Sequence, residues 1–131
     1  MSQDLDVIRR VYEAWNEQAM EDWKALHDED VVVVPPAGWP EGETSVDRDA
    51  WLAQTMRLAE PWEEQRIELD ELRNVGGWVL AVFRWITRGR GSGIELVTPM
   101  ACISTIQEGK VTRHEYFLSR EAALEAIEAD R

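Results

Sequence analysis

Apolar residues are spaced as in a helix over the first half of the chain and as in a strand over the second. Leu5, Ile8, Tyr12, Trp15 and Ala19 recur every three or four residues, which makes one apolar stripe on a helix with Asp4 as its cap. A shorter helix follows over Met20–His27, with Trp23 and Leu26 on its inner side. Val31–Val34 is a β-branched run, and Pro35-Pro36 stops it, so it reads as a short strand. Ala37–Val46 is rich in Pro, Gly, Glu and Ser and reads as a loop, with Trp39 placed to act as a lid. Asp47 is a good cap for a helix through Ala59, with Trp51, Leu52, Thr55, Met56 and Ala59 on or near one face, and Pro61 ends it.

From Trp62 the pattern is that of strands joined by tight turns. The candidates are Trp62–Val75, Trp78–Arg90, Ile94–Gln107 and Lys110–Leu118. Gly76-Gly77, the glycines at 89, 91 and 93, and Glu108-Gly109 supply the turns between them. Ser119 caps a last helix, with Glu121 in its first turn. Helices followed by a run of strands indicate an α+β fold rather than an alternating one. Successive hairpins predict an antiparallel sheet with helices covering one face. The chain, 131 residues, fits a single domain, 1–131.

Charge and composition narrow the partners. A formal charge of −12 leaves no basic face for nucleic acid or for an anionic membrane. No apolar run reaches the roughly 20 residues of a membrane span, and the N-terminus lacks a signal-peptide core. Cys102 is the only cysteine, so no internal disulfide forms. These features predict a soluble, cytoplasmic protein. Seven tryptophans are many for this length: they either build the core or line an aromatic pocket for a flat, apolar ligand.

Candidate chemistry is sparse. Gly89-x-Gly91-x-Gly93 joins two strands, so it reads as a hairpin and not as a phosphate loop. His27 and His114 lack metal-ligand spacing, no nucleophile elbow is present, and Cys102 has no evident base beside it in sequence. No metal and no cofactor is expected. Glu115 stands mid-strand between apolar neighbours. Strict alternation puts it on one face with Val111, Arg113 and Phe117, and puts Thr112, His114, Tyr116 and Leu118 on the other. If the first face lines a cavity, burial would tune Glu115 for proton transfer, and Arg84 would hold it ionised or bind a substrate oxygen. If that face is the outer one, the two residues are a cross-strand ion pair.

The segments VIRRVYEAWNEQAMEDWKALHDEDV, PPAGWPEG, RGRGSGIE and EGKVTRHEYFLSREAALEAI give nearly the whole chain a resemblance to the SnoaL-like family of the nuclear transport factor 2-like superfamily. The resemblance implies a cone-like barrel of strongly curved antiparallel sheet wrapped on a long helix, open at a pocket, and a homodimer formed through the sheet face. It also implies polyketide cyclases, ketosteroid isomerases, epoxide hydrolases, dehydratases and non-catalytic proteins as relatives. Glu115 falls where similar epoxide hydrolases carry a pocket acid, and Arg84 falls near a pocket arginine. The hydrolases' second acid is absent, with Trp85, Ile86 and Thr87 in its neighbourhood. Cys102 and Ser119 stand where close relatives often carry His and Asp.

Two functions follow as expectations. One is a cofactor-independent isomerase, cyclase or dehydratase acting on a hydrophobic cyclic substrate, with Glu115 as base and Arg84 or His114 polarising a carbonyl. In that reading Tyr12, Trp15, Trp39, Trp51, Met100 and Cys102 shape the cavity. The other is a binding protein for an apolar ligand, or a protein-interaction module, with no chemistry.

Overall fold

A computed structural model describes residues 3–36, 44, 47–60 and 62–129. Helices α1 (Gln3–Glu17) and α2 (Met20–Ala25) lead into strand β1 (His27–Val34) and helix α3 (Arg48–Ala59). Strands β2 (Trp62–Val75), β3 (Trp78–Gly89), β4 (Glu95–Gln107) and β5 (Lys110–Phe117) follow, then helix α4 (Arg120–Ala129). The loop expected at Ala37–Val46, with Trp39, lies almost wholly outside the described residues.

Local chemistry explains the ends of these elements. The Asp47 carboxylate accepts from the Ala50 backbone N–H at 3.0 Å and caps α3. Ser119 Oγ accepts from the Ala122 N–H at 3.1 Å and caps α4. The hairpin turns at Gly76-Gly77 and Glu108-Gly109 carry positive φ at both central residues, the backbone that twisted two-residue hairpins require. The glycine-rich segment after Gly89 closes the β3–β4 hairpin, with the Gly89 N–H donating to the Ile94 carbonyl at 3.1 Å.

The five strands form one open sheet in the order β1-β5-β4-β3-β2. Its antiparallel meander is the expected one, but β1 runs parallel to β5, so the sheet is mixed. Strand β1 also starts at His27, four residues before the β-branched run. His27, Asp28, Glu29 and Asp30 look like the end of a helix and an acidic loop. They become strand because β5 returns beside them, with His27 opposite Val111 and a register shift before Val32.

Helix α1 buries Val7, Ile8, Val11, Tyr12, Ala14 and Trp15 against the concave face. Asn16 pairs with the free edge of β2 through both backbone groups of Ile67, at 2.8 and 2.7 Å, which closes part of an exposed strand edge. Contrary to the expectation from sequence, the helices do not all cover one face. Ala123 and Ile127 of α4 pack on Leu80, Ala101 and Ile103, which form a second apolar cluster on the opposite side of the sheet.

Candidate functional site: an aromatic cavity and the hydrogen-bond chain behind it

The concave side of the sheet encloses a cavity of about 130 Å³ that opens to solvent. Its wall includes Tyr12 and Trp15 from α1, Trp23 from α2, Trp51 from α3, and Phe83, Trp85, Met100 and Tyr116 from the sheet. Pro35, Pro36, Gln54 and Thr55 also line it. No described lining residue carries a carboxylate, an imidazole, an amine or a guanidinium. The polar groups aimed at this space are therefore few. Gln65 Oε1 accepts from the indole N–H groups of both Trp15 and Trp85, which fixes two walls. The Tyr12 hydroxyl is buried against the Cys102 thiol and has no nitrogen or oxygen partner among the described residues. Burial is the main force raising the phenol pKa of both Tyr12 and Tyr116, so both hydroxyls remain protonated.

Of the sequence candidates, Tyr12, Trp15, Trp51 and Met100 line the cavity. Cys102 is buried behind it, and Trp39 lies outside the described residues. Arg84 is on the outer face, half-exposed, with three N–O contacts of 3.0 to 3.2 Å to Asp70. Glu115 is also on the outer face, 3.7 Å from Arg113 and opposite Ile103. Neither carboxylate nor guanidinium reaches the cavity, and the two residues do not meet.

A bulge accounts for the corrected orientation of Glu115. On β4, Ile106 faces Val111 and Thr105 faces Arg113, so Thr112 is an extra residue in β5. One inserted residue reverses the facing of everything after it. Val111 therefore points into the core as its apolar character suggests, but so do His114 and Tyr116, and Glu115 turns outward. Glu115→Gln is expected to change stability by no more than about 0.5 kcal/mol and to leave ligand binding unaltered. A thermal melt and a ligand titration of the variant check this, and a lost ligand response would return Glu115 to the site.

Sequence reasoning missed what His114 does. The Nδ1 of His27 is 2.7 Å from the Trp23 carbonyl, which can only accept, so Nδ1 carries the proton. In the neutral ring Nε2 is then bare, and at 3.0 Å it accepts from His114 Nε2–H. His114 Nδ1 is bare in turn and accepts from Ser104 Oγ–H at 2.7 Å. The Cys102 thiol adjoins the end of the row, 3.5 Å from both Ser104 Oγ and His114 Nδ1 and 3.9 Å from the Ile103 carbonyl. One carbonyl thus sets the direction of a three-side-chain row: Ser104, His114, His27.

Burial governs the charge of this row and of the thiol at its end. It pushes the Cys102 thiol up to about 12, which makes it a poor nucleophile. It lowers His27 to about 4, and lowers His114 well below 6.5 with help from His27. Both imidazoles are neutral at neutral pH. Trp23 stacks on His27 with ring centres 4.3 Å apart, and Trp51 lies 5.1 Å from each histidine. Tyr116 lies 5.7 Å from His114. The histidine pair therefore backs three aromatic walls of the cavity. No sequence signal joins residues 27 and 114; only the parallel pairing of β1 with β5 does. Among the described residues no three His, Cys, Asp or Glu side chains converge as metal ligands, and no helix is long and apolar enough to cross a membrane.

The solved structure of Bal32a, from a soil-derived mobile gene cassette, is 20% identical over 87% of this chain and 87% of its own, with a TM-score of 0.78. TerC, co-crystallised with polyporic acid, is 20% identical over 97% of this chain and 99% of its own, at a TM-score of 0.78. IdmH, a polyketide cyclase candidate from Streptomyces antibioticus, is 22% identical over 85% of this chain and 88% of its own, at 0.74. At these identities the likeness is one of fold. A comparison with curated proteins finds no match. The sequence profile of the SnoaL-like domain matches residues 8–114, most of the chain and every strand but the last few residues of β5, so the chain belongs to the SnoaL-like domain family.

Proposed function

We propose that this protein binds a neutral, flat, apolar small molecule through one ring, with an acceptor oxygen of the ligand on the Tyr12 hydroxyl. The observation that carries the reading is the cavity wall: aromatic and apolar apart from Gln54 and Thr55, uncharged among the described residues, with the phenol of Tyr12 held only by the Cys102 thiol. A volume near 130 Å³ suits a single benzene-sized ring. The remainder of a larger ligand would lie at the mouth by Pro35, Pro36, Gln54 and Thr55. A thiol is a weak partner for a buried hydroxyl, and a ligand carbonyl that reaches the phenol as it turns from Cys102 would replace that contact with a stronger one. An anionic ligand meets no described cation in the wall and a protein of charge −12 around it.

Binding without chemistry is the primary reading, because proton abstraction needs a base and no described lining side chain supplies one. The polyketide cyclase candidate and the polyporic acid complex among the similar folds support a second reading, an isomerase or cyclase. In it the Tyr12 hydroxyl polarises a carbonyl as the bond rearranges.

The test is an NMR titration with acetophenone, toluene and benzoate. Acetophenone is expected to bind best, and Tyr12→Phe to weaken it roughly three- to tenfold while leaving toluene unchanged. Equal binding of benzoate, or an acetophenone affinity indifferent to Tyr12→Phe, would refute the proposed anchor. Product analysis with polyporic acid and with simple cyclic ketones separates binder from enzyme.

A further inference from the structure

We propose that His27 and His114 are positioning residues for the aromatic wall and that their shared N–H···N bond makes that wall loosen in acid. The geometry of the pair carries the proposal. Each ring nitrogen in the row has one defined role, and the two Nε2 atoms are 3.0 Å apart with a single hydrogen between them. An added proton has two places to go. At His27 Nε2 it sets two N–H groups against each other. At His114 Nδ1 it forces the Ser104 hydroxyl to turn and leaves a charge buried among rings.

The groups packed round the pair offer no counter-charge. From α2 comes the Trp23 ring and carbonyl, and from α3 come Trp51 and the guanidinium of Arg48, whose charge opposes protonation of His27. Arg48 is itself 3.4 Å from Asp49, which also pairs with Lys24. From β4 come Cys102 and Ser104, and from β5 comes Tyr116, with Tyr12 of α1 beyond the thiol. No described carboxylate hydrogen-bonds either ring. The π faces of the tryptophans offset only part of the cost of a buried imidazolium, so hydration is the remaining relief. Trp51 and Tyr116, which contact the pair, also line the open cavity, so a shift of these rings would admit water to it.

The sign follows from burial. His27 is lowered from 6.5 to about 4, so the pair stays neutral as pH falls through the ordinary histidine range and takes up its proton below it. The wall is held at neutral pH and released in acid.

That this wall bounds a ligand site rests on the proposed function; the release itself does not, and it is read without ligand. Nitrogen-detected imidazole spectra of the whole protein at about pH 7.5 should show His27 protonated at Nδ1 and His114 at Nε2. Between about pH 5 and pH 3 the near-ultraviolet circular dichroism of the tryptophans should change in step with protonation of these rings while the far-ultraviolet signal persists. His27→Gln/His114→Gln should lack that step; if the variant does not fold, the wild-type spectra alone decide. The proposal is overturned if either ring is the other tautomer, or if the rings titrate with no change at the tryptophans. It is also overturned if near- and far-ultraviolet signals vanish together, because the pair would then serve stability alone. Acetophenone failing to bind at any pH would count against the ligand reading and leave the release standing.

Discussion

Trp51→Ala is expected to destabilise the protein by about 3–5 kcal/mol, the range for deleting a large buried aromatic side chain. Trp51 is the one described side chain of α3 that is fully buried; Leu52, Gln54 and Thr55 are only partly covered. It is also a shared wall. Its ring lies 4.8 Å from Trp23, 5.1 Å from each histidine and 6.4 Å from Tyr116, measured between ring centres. Removing it leaves α3 without its anchor and opens the cavity onto the histidine pair. The loss exceeds a transfer term alone, since the two histidine rings beside the gap are held by their hydrogen bonds to the Trp23 carbonyl, to each other and to Ser104, and are not free to collapse into it. For a chain of this size the thermal midpoint should fall by roughly 10–20 °C. Trp51→Phe should recover about half of the loss, because a smaller ring still fills part of the space. Urea unfolding of both variants checks this. A loss below about 1 kcal/mol for the alanine variant would mean that α3 is held by something other than Trp51.

The elements legible in the sequence were those whose cause is local. Asp47 and Ser119 cap helices through their own side chains, and Gly76-Gly77 and Glu108-Gly109 turn hairpins through their own backbone. The aromatic count was informative too, though the two readings of it were not exclusive. Trp15, Trp23, Trp51 and Trp85 line the cavity, and three of them are core residues at the same time. What failed to show was long-range. Residues 27 to 30 are strand only because β5 lies beside them, and nothing in HDED says so. The facing of Glu115 failed for a subtler reason. Alternation was the right rule, and Val111 was the right anchor for it, but one extra residue at Thr112 breaks the alternation between them. A bulge of that kind leaves no compositional mark, and it moved the candidate chemistry from the carboxylate of Glu115 to the rings of His114 and Tyr116.

The histidine row should be strongly non-additive. His114→Leu alone removes the donor to His27 Nε2 and the acceptor of Ser104 Oγ–H in one step. Leaving those two buried groups without partners is expected to cost about 2–4 kcal/mol. Adding His27→Leu removes one of the orphans. The Trp23 carbonyl that His27 bonded is not stranded by that change, since it also accepts from the Leu26 N–H at 3.3 Å. The double variant should therefore regain about 1–2 kcal/mol over His114→Leu, the reverse of what two independent losses would give. Adding Ser104→Ala removes the last unpaired hydroxyl and should not cost more. The same series separates the linkage effect from the packing effect. His27 is lowered from 6.5 to about 4, so the unfolded chain binds its proton first and this ring alone should cost the wild type up to about 3 kcal/mol between those two pH values, with His114, also lowered, adding to the loss. The double leucine variant has no such group and should be flatter over that interval by a similar amount, which can make it the more stable protein at the acid end. Urea unfolding of the wild type, both single leucine variants and the double variant at neutral and acid pH measures both quantities. Single losses that simply add, together with parallel pH profiles, would show that the two rings are packed side by side without the directed hydrogen bond between them.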